Sequence, residues 1–120
     1  MERLKKRTDF LATASGAKAT GAISHVAGFV LQMRERDDRQ PPRIGFTVSK
    51  KVGNAVERNR VRRRLREVVR RSSPERLRAG CDYVLIGRRA AIALPFDRLA
   101  EDFYGALSRI SPPVKAQKSR

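Results

Sequence analysis

A run of basic residues near the middle of the chain is the part of the sequence best suited to a chemical task. Between positions 50 and 71 the polar side chains are mostly Lys and Arg, and the two acidic ones are Glu57 and Glu67. A guanidinium group holds a phosphate through two parallel hydrogen bonds and stacks on bases, but it does not serve as a general base or a metal ligand. The run therefore indicates binding of a polyanion.

Helical spacing sorts these residues onto two faces of one helix, predicted over residues 54–72. Asn54 is a good N-cap, and Glu57 three positions later can complete a capping box. The apolar stripe consists of Val61, Leu65, Val68 and Val69, the opposite stripe of Asn59, Arg63, Arg66 and Arg70, and a neighbouring row of Arg60, Arg64 and Arg71. Like charges at this spacing repel by a few tenths of a kcal/mol each, so an external anion such as a phosphate backbone must offset the repulsion.

The composition agrees with a polyanionic partner. The 120 residues carry 28 Lys and Arg against 12 Asp and Glu, a net charge of +16, which opposes compaction unless nucleic acid or an anionic membrane surface neutralises it. Cys81 and His25 are the only residues of their types, so neither an internal disulfide nor an ordinary zinc site is expected. No apolar run approaches the ~20 residues of a membrane span, and a cytoplasmic location is expected.

The apolar patterns predict an α+β fold with the element order α-β-β-β-α-β-α. We expect a two-layer sandwich, with a mostly antiparallel sheet and helices over one face. The predicted segments are a helix over 8–15 capped by Thr8, a short strand after it, strands over 26–33, 44–49 and 81–88, and a last helix opened by Pro95. The strands over 26–33 and 44–49 are expected to form an antiparallel hairpin around a polar loop, and the later strand–helix–strand segment allows one parallel pairing. Residues 1–113 form one predicted domain, and 114–120 a disordered basic tail.

The strand over 44–49 has two unequal faces. Ile44, Phe46 and Val48 line one side, whereas Gly45, Thr47 and Ser49 line the other. A small polar sheet face is either solvated surface or the floor of a binding groove. An aromatic residue beside hydroxyl groups suits a single nucleic-acid strand, because a base stacks while the hydroxyls reach the backbone.

The segment from Lys50 to Glu67 resembles the protein subunit of bacterial ribonuclease P. The Lys-Lys pair at 50–51, Asn-Ala-Val at 54–56, Arg-Asn-Arg at 58–60 and Arg-Glu at 66–67 match the signature of that family. Leu4-Lys5-Lys6-Arg7 with Asp9-Phe10 resembles its amino terminus, and 29–31, 43–49 and 82–86 resemble its strands. The resemblance extends to about position 110.

This resemblance implies a ribonucleoprotein endoribonuclease that removes the 5′ leader from precursor tRNA. The catalytic RNA subunit carries the reaction with its magnesium ions, and the protein binds that RNA and the leader but is inactive alone. It also implies a left-handed β-α-β crossover. The residues themselves offer no catalytic or metal-binding constellation, and neither a DNA nor a membrane partner is expected.

The resemblance assigns residues to two surfaces. Those expected to bind the RNA subunit are Lys50, Lys51, Arg58, Asn59, Arg60, Arg62, Arg63, Arg66 and Arg70. Those expected to bind the leader are Phe10, Gln32, Thr47 and Ser49, although Phe10 is equally well explained as a core aromatic. Some relatives have a second aromatic at the Ala14 position and Tyr at the Gln32 position, so charge is expected to contribute more to leader binding here.

Three alternatives remain at this level. An architectural or ribosomal RNA-binding protein accounts for the charge, but not for the specific segment from Lys50 to Glu67. A DNA-binding basic zipper needs heptads after its basic region, whereas Ser72-Ser73-Pro74 ends the helix. A nuclease with its own active site needs a carboxylate or histidine cluster, and the sequence offers none.

Overall fold

The structure, a computed structural model, describes residues 2–72 and 74–110. The strands are β1 Glu2–Arg3, β2 Ile23–His25, β3 Phe29–Glu35, β4 Arg43–Thr47 and β5 Cys81–Gly87, and the helices are α1 Arg7–Thr20, α2 Ala55–Arg70 and α3 Phe96–Ile110. Short 3-10 turns occupy Lys50–Val52, Pro74–Arg76 and Arg89–Ile92. The α+β class and the predicted element order are confirmed, with β1 added at the front. The predicted tail over 114–120 lies outside the described residues.

The five strands form one mixed sheet in the order β1-β4-β5-β3-β2. The β1–β4 and β4–β5 pairs are parallel, and the β3–β5 and β2–β3 pairs are antiparallel, so two of the four strand pairs are antiparallel. The predicted hairpin between the strands over 26–33 and 44–49 is wrong, because β5 lies between β3 and β4. β5 is apolar and buried along nearly its whole length, and a strand buried on both faces belongs at the centre of a sheet.

The segment β4–α2–β5 supplies the parallel pairing that the sequence allows. Phe46 is opposite Leu85 and Thr47 is opposite Ile86 in the register of the two strands. The left-handed sense of this crossover stays a prediction that rests on the family resemblance.

Helices cover both faces of the sheet, which corrects the expectation of helices over one face. α2 and α3 enclose the main core, where the Phe29 and Phe103 ring centroids are 6.4 Å apart and both residues are fully buried. α1 packs on the opposite face with Thr13 and Ala17 fully buried. It can approach closely because Gly45 in β4 has no side chain, and a Cβ there would lie 2.6 Å from the Phe10 ring.

α1 is longer than its sequence pattern suggests. It begins after Lys6, not at a Thr8 cap, and Lys6 makes no side-chain capping hydrogen bond. Gly16 does not end it, because packing against β3 outweighs the weak helix propensity of one glycine. The helix ends at Gly21, whose φ of 80° is left-handed and whose N–H donates to the Ala17 carbonyl.

Candidate nucleic-acid interface

The start of α2 is fixed by the predicted capping box. The Asn54 side chain accepts a hydrogen bond from the Glu57 N–H at 2.9 Å, and the Glu57 carboxylate accepts one from the Asn54 N–H at 3.0 Å. Arg89 also donates to Glu57 at 3.1 Å, and this bond together with that from Asn54 lowers the pKa of Glu57. The Glu57 side chain is thereby directed towards the Arg89–Ile92 segment, where it is bound to Arg89.

The two predicted faces of α2 are confirmed. Val61, Leu65, Val68 and Val69 are buried, whereas Asn59, Arg60, Arg63, Arg66 and Arg70 are exposed. Within the part of the chain that the structure describes, the side chains of Arg60 and Arg63 make no hydrogen bond or ion pair. We call the exposed residues together with Lys50, Lys51, Arg58 and Arg62 the arginine face.

Neighbouring arginines differ in how far they are engaged within the chain. Arg64 donates to the carbonyls of Ala91 and Ile92 at 2.6 and 3.1 Å, so it attaches α2 to the Arg89–Ile92 turn. Burial lowers the pKa of Arg64, and the charge of Arg60 lowers it further. Arg64 therefore belongs to the internal structure, although helical spacing groups it with Arg60.

Other members of the arginine face use only part of their hydrogen-bonding capacity internally. Arg58 donates to the Gly53 carbonyl at 3.1 Å, and Arg62 donates to the Asn59 side chain at 2.8 Å. Arg70 forms an ion pair with Glu67, which also pairs with Arg71, and the two arginines lower the pKa of Glu67 to about 2. Because a guanidinium has five N–H donors, each of these arginines keeps donors for an external phosphate.

A cleft of about 470 Å³ lies between α1 and the sheet. Its lining is Lys5, Arg7, Phe10, Leu11, Ala14, Gln32, Phe46, Thr47, Val84 and Ile86. Phe10, Gln32 and Thr47 thus come together as the sequence predicts. Ser49 lies outside this lining, and its hydroxyl accepts a hydrogen bond from the Lys51 N–H at 3.3 Å at the start of the Lys50–Val52 turn.

Phe10 satisfies both interpretations that the sequence leaves open. Its ring lies against the Gly45 backbone, and the half-buried side chain also lines the cleft. Leu11 beside it is 55% exposed. The wall of the cleft is therefore apolar, while Thr47 supplies an exposed hydroxyl on the sheet side.

The cleft and the arginine face adjoin one another. The Arg66 guanidinium lies 5.7 Å from the centroid of the Phe46 ring, and Phe46 lines the cleft. Phe46 is therefore common to the arginine face and the cleft.

Sequence reasoning missed two groups of residues, one beneath α1 and one lining the cleft. Lys5, Arg7 and Leu11 line it, and the only signal was the basic segment at the amino terminus. The second group is a buried ion cluster around Asp82, to which Arg34, Arg36 and Arg43 all donate. A single acidic residue before an apolar strand gave no indication of these partners.

The described residues do not fit a magnesium site. Across 2–72 and 74–110, no group of three or more His, Cys, Asp or Glu side chains is arranged to hold a metal ion. Both oxygens of Asp82 already accept arginine hydrogen bonds.

No helix within residues 2–72 and 74–110 is long and apolar enough to cross a membrane.

Comparison with known proteins assigns the family. The ribonuclease P family model matches residues 1–111. The ribonuclease P protein component of Ruegeria pomeroyi is 49% identical over 113 residues, covering 92% of this chain and 86% of the relative. That of Gluconacetobacter diazotrophicus is 50% identical over 107 residues, covering 89% of each. The chain belongs to the ribonuclease P protein family.

Solved structures of ribonuclease P proteins share the fold. The Thermotoga maritima protein has a TM-score of 0.74 at 30% identity, covering 92% of this chain and 99% of that one. The Staphylococcus aureus protein has a TM-score of 0.68 at 28% identity, covering 92% and 96%. The chain is thus the RNA-binding protein subunit of a ribonucleoprotein endoribonuclease and assists removal of the 5′ leader from precursor tRNA. The family assignment decides against the ribosomal and DNA-binding alternatives.

Proposed function

We propose that the chain serves ribonuclease P through two adjoining surfaces. The arginine face of α2 binds the catalytic RNA subunit, and the cleft between α1 and the sheet binds the leader of precursor tRNA. The observation that carries the proposal is that Phe46 is shared by the two surfaces: it lines the cleft, and its ring, packed against the core, lies 5.7 Å from the Arg66 guanidinium.

Arg60 and Arg63 are the strongest candidates for contact with the RNA subunit. Both are exposed, and neither has an anionic partner among the described residues, so their charges repel each other in the free protein. Phosphates of the RNA remove this repulsion and release counterions. Lys50, Lys51, Arg58, Asn59, Arg62, Arg66 and Arg70 extend the same surface.

The cleft suits a single RNA strand. A base can stack on the exposed part of Phe10, while the Thr47 hydroxyl and the Gln32 amide reach sugar and backbone groups. Lys5 and Arg7 supply charge for the phosphates at the cleft, where this chain has Ala14 at the position of the second α1 aromatic found in some relatives. Ser49 contributes less than the sequence suggests, because its hydroxyl caps the Lys50–Val52 turn.

Magnesium belongs with the RNA subunit in this proposal, because the described protein residues do not fit a site for it. We also propose that the protein supplies no catalytic side chain and cleaves no precursor tRNA by itself. One solved relative is an S. aureus RNase P protein mutant with defective mRNA degradation activity. The cleavage assay on RNA-free protein therefore includes an mRNA as well as precursor tRNA, and cleavage of precursor tRNA would contradict the proposal.

Replacement of Phe10 tests the cleft. In holoenzyme assembled with the cognate RNA subunit, Phe10→Ala should weaken binding of precursor tRNA with a leader of several nucleotides by about 1–3 kcal/mol, the worth of one base stack. Affinity for mature tRNA should not change, since it has no leader. Phe10→Leu is the matched control for packing, because it keeps apolar contact with Gly45 but removes the aromatic face. Equal losses for precursor and mature tRNA would contradict leader binding in the cleft.

A further inference from the structure

The buried ion cluster beneath α1 is centred on Asp82, the second residue of β5. Asp82 is fully buried. Its Oδ1 accepts hydrogen bonds from Arg36 Nη1 at 2.5 Å and from Arg43 Nε at 2.8 Å. Its Oδ2 accepts from Arg34 Nη2 at 2.7 Å and from Arg43 Nη2 at 2.8 Å. One carboxylate thus orients guanidinium groups from β3, from the loop after it and from β4.

Two of these arginines extend from the sheet to α1. Arg43 Nη1 lies 3.4 Å from Asp9 Oδ2, and Arg34 Nη2 lies 3.8 Å from Asp9 Oδ1. The Arg34 stem also runs beneath the middle of the helix, where a Cβ on Gly16 would lie 3.3 Å from Arg34 Cγ. α1 therefore touches the cluster at two points about two turns apart.

The orientation of Arg34 is imposed by the carboxylates. Its Nε–H is buried without a hydrogen-bond partner among the described residues. An unsatisfied buried donor is unfavourable, so the ion pairs must outweigh that cost. Without Asp82 the cluster would hold three guanidinium groups close together, with Asp9 and the exposed Asp38 as the remaining carboxylates in contact with them.

Asp9 immediately precedes Phe10, and this adjacency connects the cluster to the cleft. The distance between the Phe10 ring and Thr47 depends on the height and rotation of the first turns of α1 over the sheet. We propose that Asp82 is a positioning residue for leader recognition: through Arg34 and Arg43 it fixes α1 over the sheet and so sets the width of the cleft. The inference rests on the proposed role of the cleft in leader binding.

The test uses holoenzyme with the cognate RNA subunit and compares Asp82→Asn with Asp38→Asn. Asp38 makes the same kind of bond to Arg36 but has no link to Arg34, Arg43 or α1, so it is a matched control. Asp82→Asn should weaken binding of leader-bearing precursor tRNA about tenfold, within the range of one base stack, and leave mature tRNA and RNA-subunit binding unchanged. Asp38→Asn should change none of the three. Equal losses on precursor and mature tRNA, or no loss, would overturn the inference.

Asp9→Asn decides the matter if Asp82→Asn fails to fold. It removes only the link to α1 and leaves the buried carboxylate satisfied, so a selective loss on precursor tRNA supports the inference and its absence overturns it.

In a Phe10→Ala background, Asp82→Asn should add little further loss of precursor-tRNA affinity, because both substitutions act through the α1 wall of the cleft. Full additivity would overturn the inference. If Phe10→Ala selectively weakens precursor-tRNA binding and Asp82→Asn does not, this inference alone is refuted. If Phe10→Ala causes no selective loss of precursor-tRNA binding, the proposed function of the cleft is itself refuted.

Discussion

At the scale of single residues, the surroundings of each charged group decide its role. Arg60 and Arg64 lie one helical turn apart and look equivalent in the sequence. Arg60 is exposed without an ion partner in the described ranges, whereas Arg64 is bonded to two carbonyls of another segment. Asp82 is the acidic counterpart, a carboxylate kept charged inside the protein by arginines.

The acid stability of the isolated protein should report the Asp82 cluster. Burial alone would raise the pKa of Asp82, but hydrogen bonds from Arg43, Arg34 and Arg36 outweigh it and lower the pKa from its ordinary 3.8 to about 2. A lowered pKa stabilises the folded state above the unfolded value, and that stability is lost as pH falls through the folded value. The free energy of unfolding should therefore decrease between about pH 4 and pH 2.

Urea denaturation of the original protein and of Asp82→Asn, measured across this pH range, checks the prediction. The stability difference between the two proteins should shrink as the pH falls, because only the original loses the charged carboxylate. Glu67 also has a pKa of about 2, but it is present in both proteins and cancels from the difference. A difference independent of pH would show that Asp82 does not titrate in this way.

At the scale of elements, α2 and α1 differ in how far the residues of the helix itself determine where it begins and which face it buries. α2 has a capping box and a clear apolar stripe, with charged residues on the other side. α1 starts without a side-chain cap, and Thr13 and Ala17 are its buried residues. The residues of α2 itself thus define its start and its two faces, whereas α1 contacts the sheet and, through Asp9, the arginines of the ion cluster.

Two sets of arginine substitutions on α2 should separate binding from stability. The double variant Arg60→Ala with Arg63→Ala should keep its circular dichroism and melting temperature but lose affinity for the RNA subunit, because it removes exposed charges only. Arg64→Ala is the matched control, and it should lower stability by about 1–3 kcal/mol, because two carbonyls in the Arg89–Ile92 turn lose their donor. Survival of both the fold and the RNA affinity in the double variant would show that the arginine face is ordinary solvated surface.

At the scale of the whole molecule, the basic residues behind the net charge of +16 are unevenly distributed over the surface. Arg66 of the arginine face lies over the ring of Phe46, which also lines the cleft that holds Lys5 and Arg7. Other arginines are neutralised internally, as those around Asp82 are. In the proposed function, polyanion binding is therefore concentrated on the arginine face and the cleft.

Assembly with the RNA subunit should depend steeply on salt. We expect the arginine face to engage on the order of 5–8 phosphates, so the logarithm of the association constant should fall linearly with the logarithm of potassium concentration. Each arginine removed from a phosphate contact should reduce the slope by about one. Titrations of the original protein and of the Arg60→Ala, Arg63→Ala variant measure this, and a flat dependence would place the charge away from the interface.

The sequence by itself determined the features that depend on neighbours along the chain. The cap at Asn54, the buried stripe through Val61 and Leu65, and the family motif from Lys50 to Glu67 are all local, and helical periodicity converts them directly into faces. Gly45 and Thr47 likewise indicated a small-residue sheet face.

Only the tertiary structure decided which charged groups are free and where the strands lie. Arg34 and Asp82 are 48 positions apart, and no local pattern links them. The insertion of β5 between β3 and β4, the packing of α1 on the second face and the internal use of Arg64 are likewise contacts between distant segments. Segments far apart in the sequence compete for buried positions and for partners of buried charges. The outcome of this competition depends on the whole folded chain, so no local pattern predicts it.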